Sequence, residues 1–189
     1  SAHYAHTPSR NEYYIIGTQL TESNFDFFGG SGFSRPQSKN NPSAPNLYDL
    51  AEQQGYTLAG GYADAMAKIE SEKLLVVPEE RLVNRSRNAG ALPYAIDRGD
   101  KDLNLSQLVE LAIKHLSTHD HFFMMAEGGK IDYASHANDG ATVLHEVMDF
   151  DDAIKVAYRF YEQHPDETLI VVTADHETGG LSIVSADGN

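Results

Sequence analysis

Apolar residues recur along this chain with two periods, one helical and one extended, and the two alternate. Positions 105, 108, 109, 112, 113 and 116 form a stripe that predicts a helix over Leu105–Leu116, with Ser106 as a candidate cap. A second, longer stripe runs from Ala141 to Tyr161 through Val143, Leu144, Val147, Met148, Ile154, Ala157 and Phe160, and His164-Pro165-Asp166 ends it. Two uninterrupted apolar runs of strand length flank that helix, His121–Ala126 and Thr168–Thr173. Strand, long helix and strand make a βαβ unit, whose strands lie parallel and are covered on both faces.

The first half reads more weakly. Helices are expected at Asn11–Leu20, at Leu47–Gln54 (closed by Gly55) and at Asp64–Ser71. Short strands are expected at Phe25–Phe28, Tyr56–Ala59 and Lys73–Val77, the last halted by Pro78. Residues 34–46 read as a loop, and 79–102 as polar and irregular. The fold class is therefore α/β, with a mostly parallel sheet flanked by helices.

Composition narrows the function classes. The 189 residues carry 14 Lys plus Arg against 28 Asp plus Glu, a formal charge of −14. That balance argues against nucleic acid or an anionic membrane as partner and favours cations. No apolar run approaches the ~20 residues of a membrane span. Cysteine is absent, which removes disulfides, thiolate metal sites and cysteine nucleophiles. No signal peptide is visible, and the chain opens at Ser1 without methionine, so a processed or cut chain is expected.

Ligand-type side chains gather after each of the two strong strands. Glu127 stands at the end of the first, before Gly128-Gly129, and Asp132 and His136 follow four residues apart. On a helical turn that spacing points both side chains the same way. Asp175-His176 follows the second strand. In a parallel unit both strand ends open on one edge, where ligands of such sheets bind. Five carboxylate or imidazole donors are thus expected at one crevice, an oxygen and nitrogen set suited to zinc together with magnesium or manganese. Taken alone, an Asp-x-x-x-His or an Asp-His pair is commonplace, and the metal reading depends on the two coinciding. His145-Glu146, by contrast, reads as a solvated or capping pair, and His115 as a surface residue.

With these motifs in hand, the chain resembles the alkaline phosphatase family. Glu127, Asp132 and His136 look like its magnesium glutamate and its first-zinc aspartate and histidine, and Thr173-Ala174-Asp175-His176 looks like its second-zinc motif. Tyr4-Ala5-His6-Thr7-Pro8-Ser9-Arg10 resembles the stretch that ends in the family's phosphate-binding arginine, here Arg10. Phe28-Gly29-Gly30-Ser31-Gly32 resembles a glycine-rich strand end.

The resemblance implies a three-layer alkaline-phosphatase-like fold, of which residues 1–189 form a partial domain with no second one. It implies a phosphate monoester hydrolase with two Zn2+ and one Mg2+, working through a phosphoserine intermediate. Small phosphate monoesters would be the partners, in a periplasmic or extracellular setting, and a homodimer is left open. It also implies that the serine nucleophile and several ligands lie outside these 189 residues, so that the chain alone is expected to be inactive. Tyr133 stands where some members carry Lys or His, which predicts altered metal or phosphate contacts. The alternatives are another member of the same superfamily (a phosphodiesterase, sulfatase or phosphomutase) or a non-catalytic metal-binding domain.

Overall fold

A computed structural model describes residues 3–180. At its centre lies a parallel sheet of three strands, β1 (Phe27–Gly29), β2 (Tyr56–Gly60) and β3 (Lys73–Val77), in the order β1-β3-β2. Tyr56 stands opposite Lys73 and Gly60 opposite Val77, while Phe27 stands opposite Leu74. Strand pleating sends successive β3 side chains to opposite faces. Leu75 and Val77 pack with Leu47, Tyr48 and Ala51. Leu74 and Val76 pack with Ala65, Leu103, Leu108 and Leu111. The sheet is thus covered on both sides, the three-layer α/β arrangement expected.

One covering layer contains α1 (Tyr13–Glu22), α2 (Leu47–Gln53) and α4 (Glu79–Val83). The other contains α3 (Gly61–Ala67) and α5 (Leu105–Leu116). Two further helices, α6 (Lys130–His136) and α7 (Gly140–Gln163), extend the α5 side, α7 lying along α5. The starts of α2, α5 and α7 have a local chemical cause. Asn46 accepts from the Tyr48 amide at 2.9 Å and starts α2. α5 begins at a capping box: Asn104 accepts from the Gln107 amide at 2.8 Å and the Gln107 side chain accepts from the Asn104 amide at 3.2 Å. Ser106, the expected cap, instead donates to the Asn104 side chain at 2.8 Å. Asp139 starts α7 by accepting from the Thr142 hydroxyl and amide, which hold its carboxyl below the usual range.

The expected βαβ unit around α7 is not formed. Neither His121–Ala126 nor Thr168–Thr173 is a strand, and the parallel sheet is built from the three weaker first-half runs instead. A strand exists only through the ladder it shares with a neighbour, and among the described residues these two segments pair with nothing. Their side chains accordingly face outward: Phe123 is 79% and Leu169 86% exposed. Only a few contacts attend the first run, including Phe122 against Phe160 of α7, with ring centroids 5.8 Å apart.

The polar stretch 79–102 holds α4 and a short 3-10 turn at Ala95–Asp97. It is pinned to α7 by one buried and one half-buried carboxylate. Glu146 accepts from the Ala95 amide at 2.6 Å, and Asp149 receives both terminal nitrogens of Arg98, at 2.6 and 2.9 Å. Glu146 is therefore an internal tie rather than a solvated residue. His115 is also internal, its Nδ1 2.8 Å from the Ile69 carbonyl, so it donates there.

Candidate metal centre

Two segments far apart in sequence meet at the candidate site. The first is the short helix α6, which presents Asp132 and His136 one turn apart, with His136 Nε2 3.4 Å from Asp132 Oδ1. The second is the loop 175–180, where His176 Nε2 lies 3.5 Å from Asp175 Oδ2. Thr178 joins them. Its hydroxyl donates to Asp132 Oδ1 at 3.0 Å and stands 3.0 Å from His176 Nδ1.

The loop approaches α6 closely because Gly179 permits it. Gly179 has a φ of +82°, and a β-carbon there would lie 2.5 Å from the Ser135 carbonyl oxygen. Gly180 donates its amide to the Glu177 carboxylate at 2.8 Å, which tightens the turn. His176 Nδ1 also lies 2.9 Å from the Glu177 carbonyl. That carbonyl, followed by the Asp175 and Asp132 carboxylates, raises the His176 pKa above the ordinary imidazole value. The surroundings thus favour positive charge at this point, whether a proton or a metal ion.

The other two predicted residues stand elsewhere. Glu127 lines a cavity of about 60 Å³ with Arg98, Lys130, Glu146 and Asp149. No hydrogen bond connects it to the Asp132–His176 group among the described residues. In the same region Lys130 places its ammonium 3.4 Å from the centre of the Tyr94 ring, and burial lowers its pKa. Arg10 is exposed and has no hydrogen bond or ion pair among the described residues.

The donor chemistry fits zinc: each pair offers one carboxylate and one imidazole, ligands that zinc takes at about 2.0–2.2 Å. The assembly is nevertheless looser than the single crevice expected from sequence. Among the described residues no three acids or histidines are grouped closely enough to hold an ion. Sequence reasoning passed over Thr178, Arg98 and Asp149. For Thr178 the signal was a short hydroxyl two residues past an Asp-His pair; for Arg98 and Asp149 nothing local marks them as partners 51 residues apart.

Comparison with known proteins bears on the family. The family model for alkaline phosphatase matches residues 44–188. Alkaline phosphatase 3 of Bacillus subtilis is 36% identical over 144 residues, 76% of this chain and 29% of that protein. The repressible alkaline phosphatase of Saccharomyces cerevisiae is 42% identical over 98 residues, 48% of this chain and 17% of that protein. Among solved structures, the alkaline phosphatase of the Antarctic bacterium TAB5 superposes with a TM-score of 0.75 at 32% identity, covering 94% of this chain and 48% of that one. A variant of the Antarctic enzyme with Mg bound in its M3 site gives 0.73 at 30% identity. This chain therefore spans less than half the length of these relatives, and over that span it belongs to the alkaline phosphatase family.

Proposed function

We propose that this chain forms part of a metal-dependent hydrolase of phosphate monoesters, to which it contributes metal and phosphate ligands. Asp132 and His136 would hold one zinc ion, Asp175 and His176 a second, and Glu127 would serve magnesium. Arg10 would grip two phosphate oxygens through its planar fork, as guanidinium groups do. The observation that carries the reading is the meeting of Asp132 with His176, 44 residues later, through one shared hydroxyl. Bound divalent ions supply positive charge that offsets charge developing on phosphoryl oxygens.

The chain's own groups have definable tasks. Asp132 and Asp175 provide anionic oxygens, and His136 and His176 provide neutral ring nitrogens once deprotonated. Exposed and without a side-chain partner among the described residues, Arg10 is free to take up an anion. The serine nucleophile of the phosphoserine route would come from outside these 189 residues, leaving the chain alone without turnover. A periplasmic or extracellular setting accords with the family; among the described residues no helix is long and apolar enough to cross a membrane.

Zinc titration by calorimetry tests the ligand assignment. Wild type is expected to bind weakly, because each pair supplies two of the roughly four ligands a zinc shell takes. The double substitution Asp132→Asn/Asp175→Asn is expected to lower that affinity by at least tenfold. Equal affinity in the two proteins would overturn the assignment.

A further inference from the structure

We propose that Thr178 is a positioning residue that orients Asp132 and couples it to the His176 ring, whose tautomer the Glu177 carbonyl sets, an inference that deepens the metal-centre reading above. The Glu177 carbonyl can only accept, so the His176 Nδ1 that lies 2.9 Å from it carries the proton. Thr178 Oγ1, 3.0 Å from the same nitrogen, therefore accepts from it. Its single hydrogen is then directed to Asp132 Oδ1 at 3.0 Å. Nδ1–H to hydroxyl to carboxylate is a one-way chain, and each member fixes the next.

Two consequences follow for the ligand atoms. His176 keeps its lone pair on Nε2, the nitrogen beside Asp175. Asp132 has one oxygen held by the hydroxyl, which fixes the carboxylate plane and leaves its remaining capacity for an ion. Partners of this kind orient metal-binding groups, and their removal typically costs about 10–100-fold in affinity. The close approach of Gly179 to Ser135 places the hydroxyl within reach of α6. Without the hydroxyl, the loop and the helix would share no side-chain hydrogen bond among the described residues.

The test uses Thr178→Val, which keeps the shape and removes the hydroxyl, and Thr178→Ser, which restores it. Nitrogen-15 spectra of the histidine rings in the metal-free chain, recorded above the His176 pKa, report the tautomer directly. All three proteins are expected to hold His176 as Nδ1–H, because the Glu177 carbonyl keeps its place beside that nitrogen. Zinc affinity is expected to fall about 10–100-fold in Thr178→Val and to recover to within about threefold in Thr178→Ser. Unchanged α5 amide signals in all three proteins serve as the folding control. Zinc affinity of Thr178→Val within about threefold of wild type would overturn the proposal, as would an Nε2–H wild type. An Asp132 carboxylate carbon-13 signal that moves in Thr178→Val and returns in Thr178→Ser supports it even in a chain that takes up no zinc. That last result would overturn the metal-centre reading instead, so the two failures are distinguishable.

Discussion

Gly179 illustrates how much of the site depends on one missing atom. Its φ of +82° and the 2.5 Å approach of a built β-carbon to the Ser135 carbonyl leave room for no side chain. For any other residue the left-handed backbone alone costs about 1–2 kcal/mol. Gly179→Ala is therefore expected to lift the loop 175–180 from α6 while the sheet and its helices stay folded. Amide exchange would show this as faster exchange confined to Asp175–Gly180, at an unchanged rate in β3. Protection of the loop equal to wild type would show that the close approach is dispensable. At the same scale, Asp132-x-x-x-His136 and Asp175-His176 were legible from spacing alone, because the turn of a helix and adjacency along the chain are local facts. Thr178 was not legible, because its significance lies in a partner 46 residues away.

Between elements, a polar tie runs from α7 to the segment 95–98. Arg98 and Asp149 are 14% and 16% exposed and form a two-pronged pair, and the Arg98 Nε is buried without a partner among the described residues. Such a pair is costly to break from one side, because the remaining charge stays buried. Asp149→Ala is expected to lower unfolding free energy by about 3 kcal/mol, and Arg98→Met/Asp149→Leu to recover most of that loss. Urea denaturation measures both; a double substitution as damaging as the single one would show that the pair itself stabilises.

The same scale shows why the sequence reading of strands went astray. β3 and β2 were read nearly to the residue from short apolar runs, that of β3 halted by Pro78. The two strongest runs, 121–126 and 168–173, carry the composition of buried strands yet lack partners among the described residues. Composition reports what a segment would do beside a neighbour, and whether a neighbour is present is not encoded within it. Glu146 and His115 were misread for a related reason. A polar residue on a helix reveals its burial only through the segment that covers it, here the Ala95 turn and the Ile69 carbonyl.

For the whole molecule, charge and apolar surface pull in opposite directions. A net −14 keeps copies apart, while Phe123, Met125, Leu169, Val171 and Val172 lie exposed on two extended segments. Such surface binds apolar dyes and marks a place for association. Leu169→Lys/Val171→Lys is expected to cut the fluorescence of bound anilinonaphthalene sulfonate at least twofold with an unchanged melting temperature. Dye binding equal to wild type would locate the apolar surface elsewhere.

The two unpaired segments each lead straight into a ligand motif, 121–126 into Glu127 and α6, and 168–173 into Asp175-His176. Anything that orders a segment therefore also lowers the entropy an ion must overcome in gathering the ligands that follow it. The dependence is reciprocal: a metal ion that gathers the ligands leaves the segments less freedom to lose when a neighbouring strand docks. On the proposed metal-centre reading, ion uptake and strand docking would be one linked equilibrium, and neither affinity would have a fixed value until the other occupant's concentration is stated.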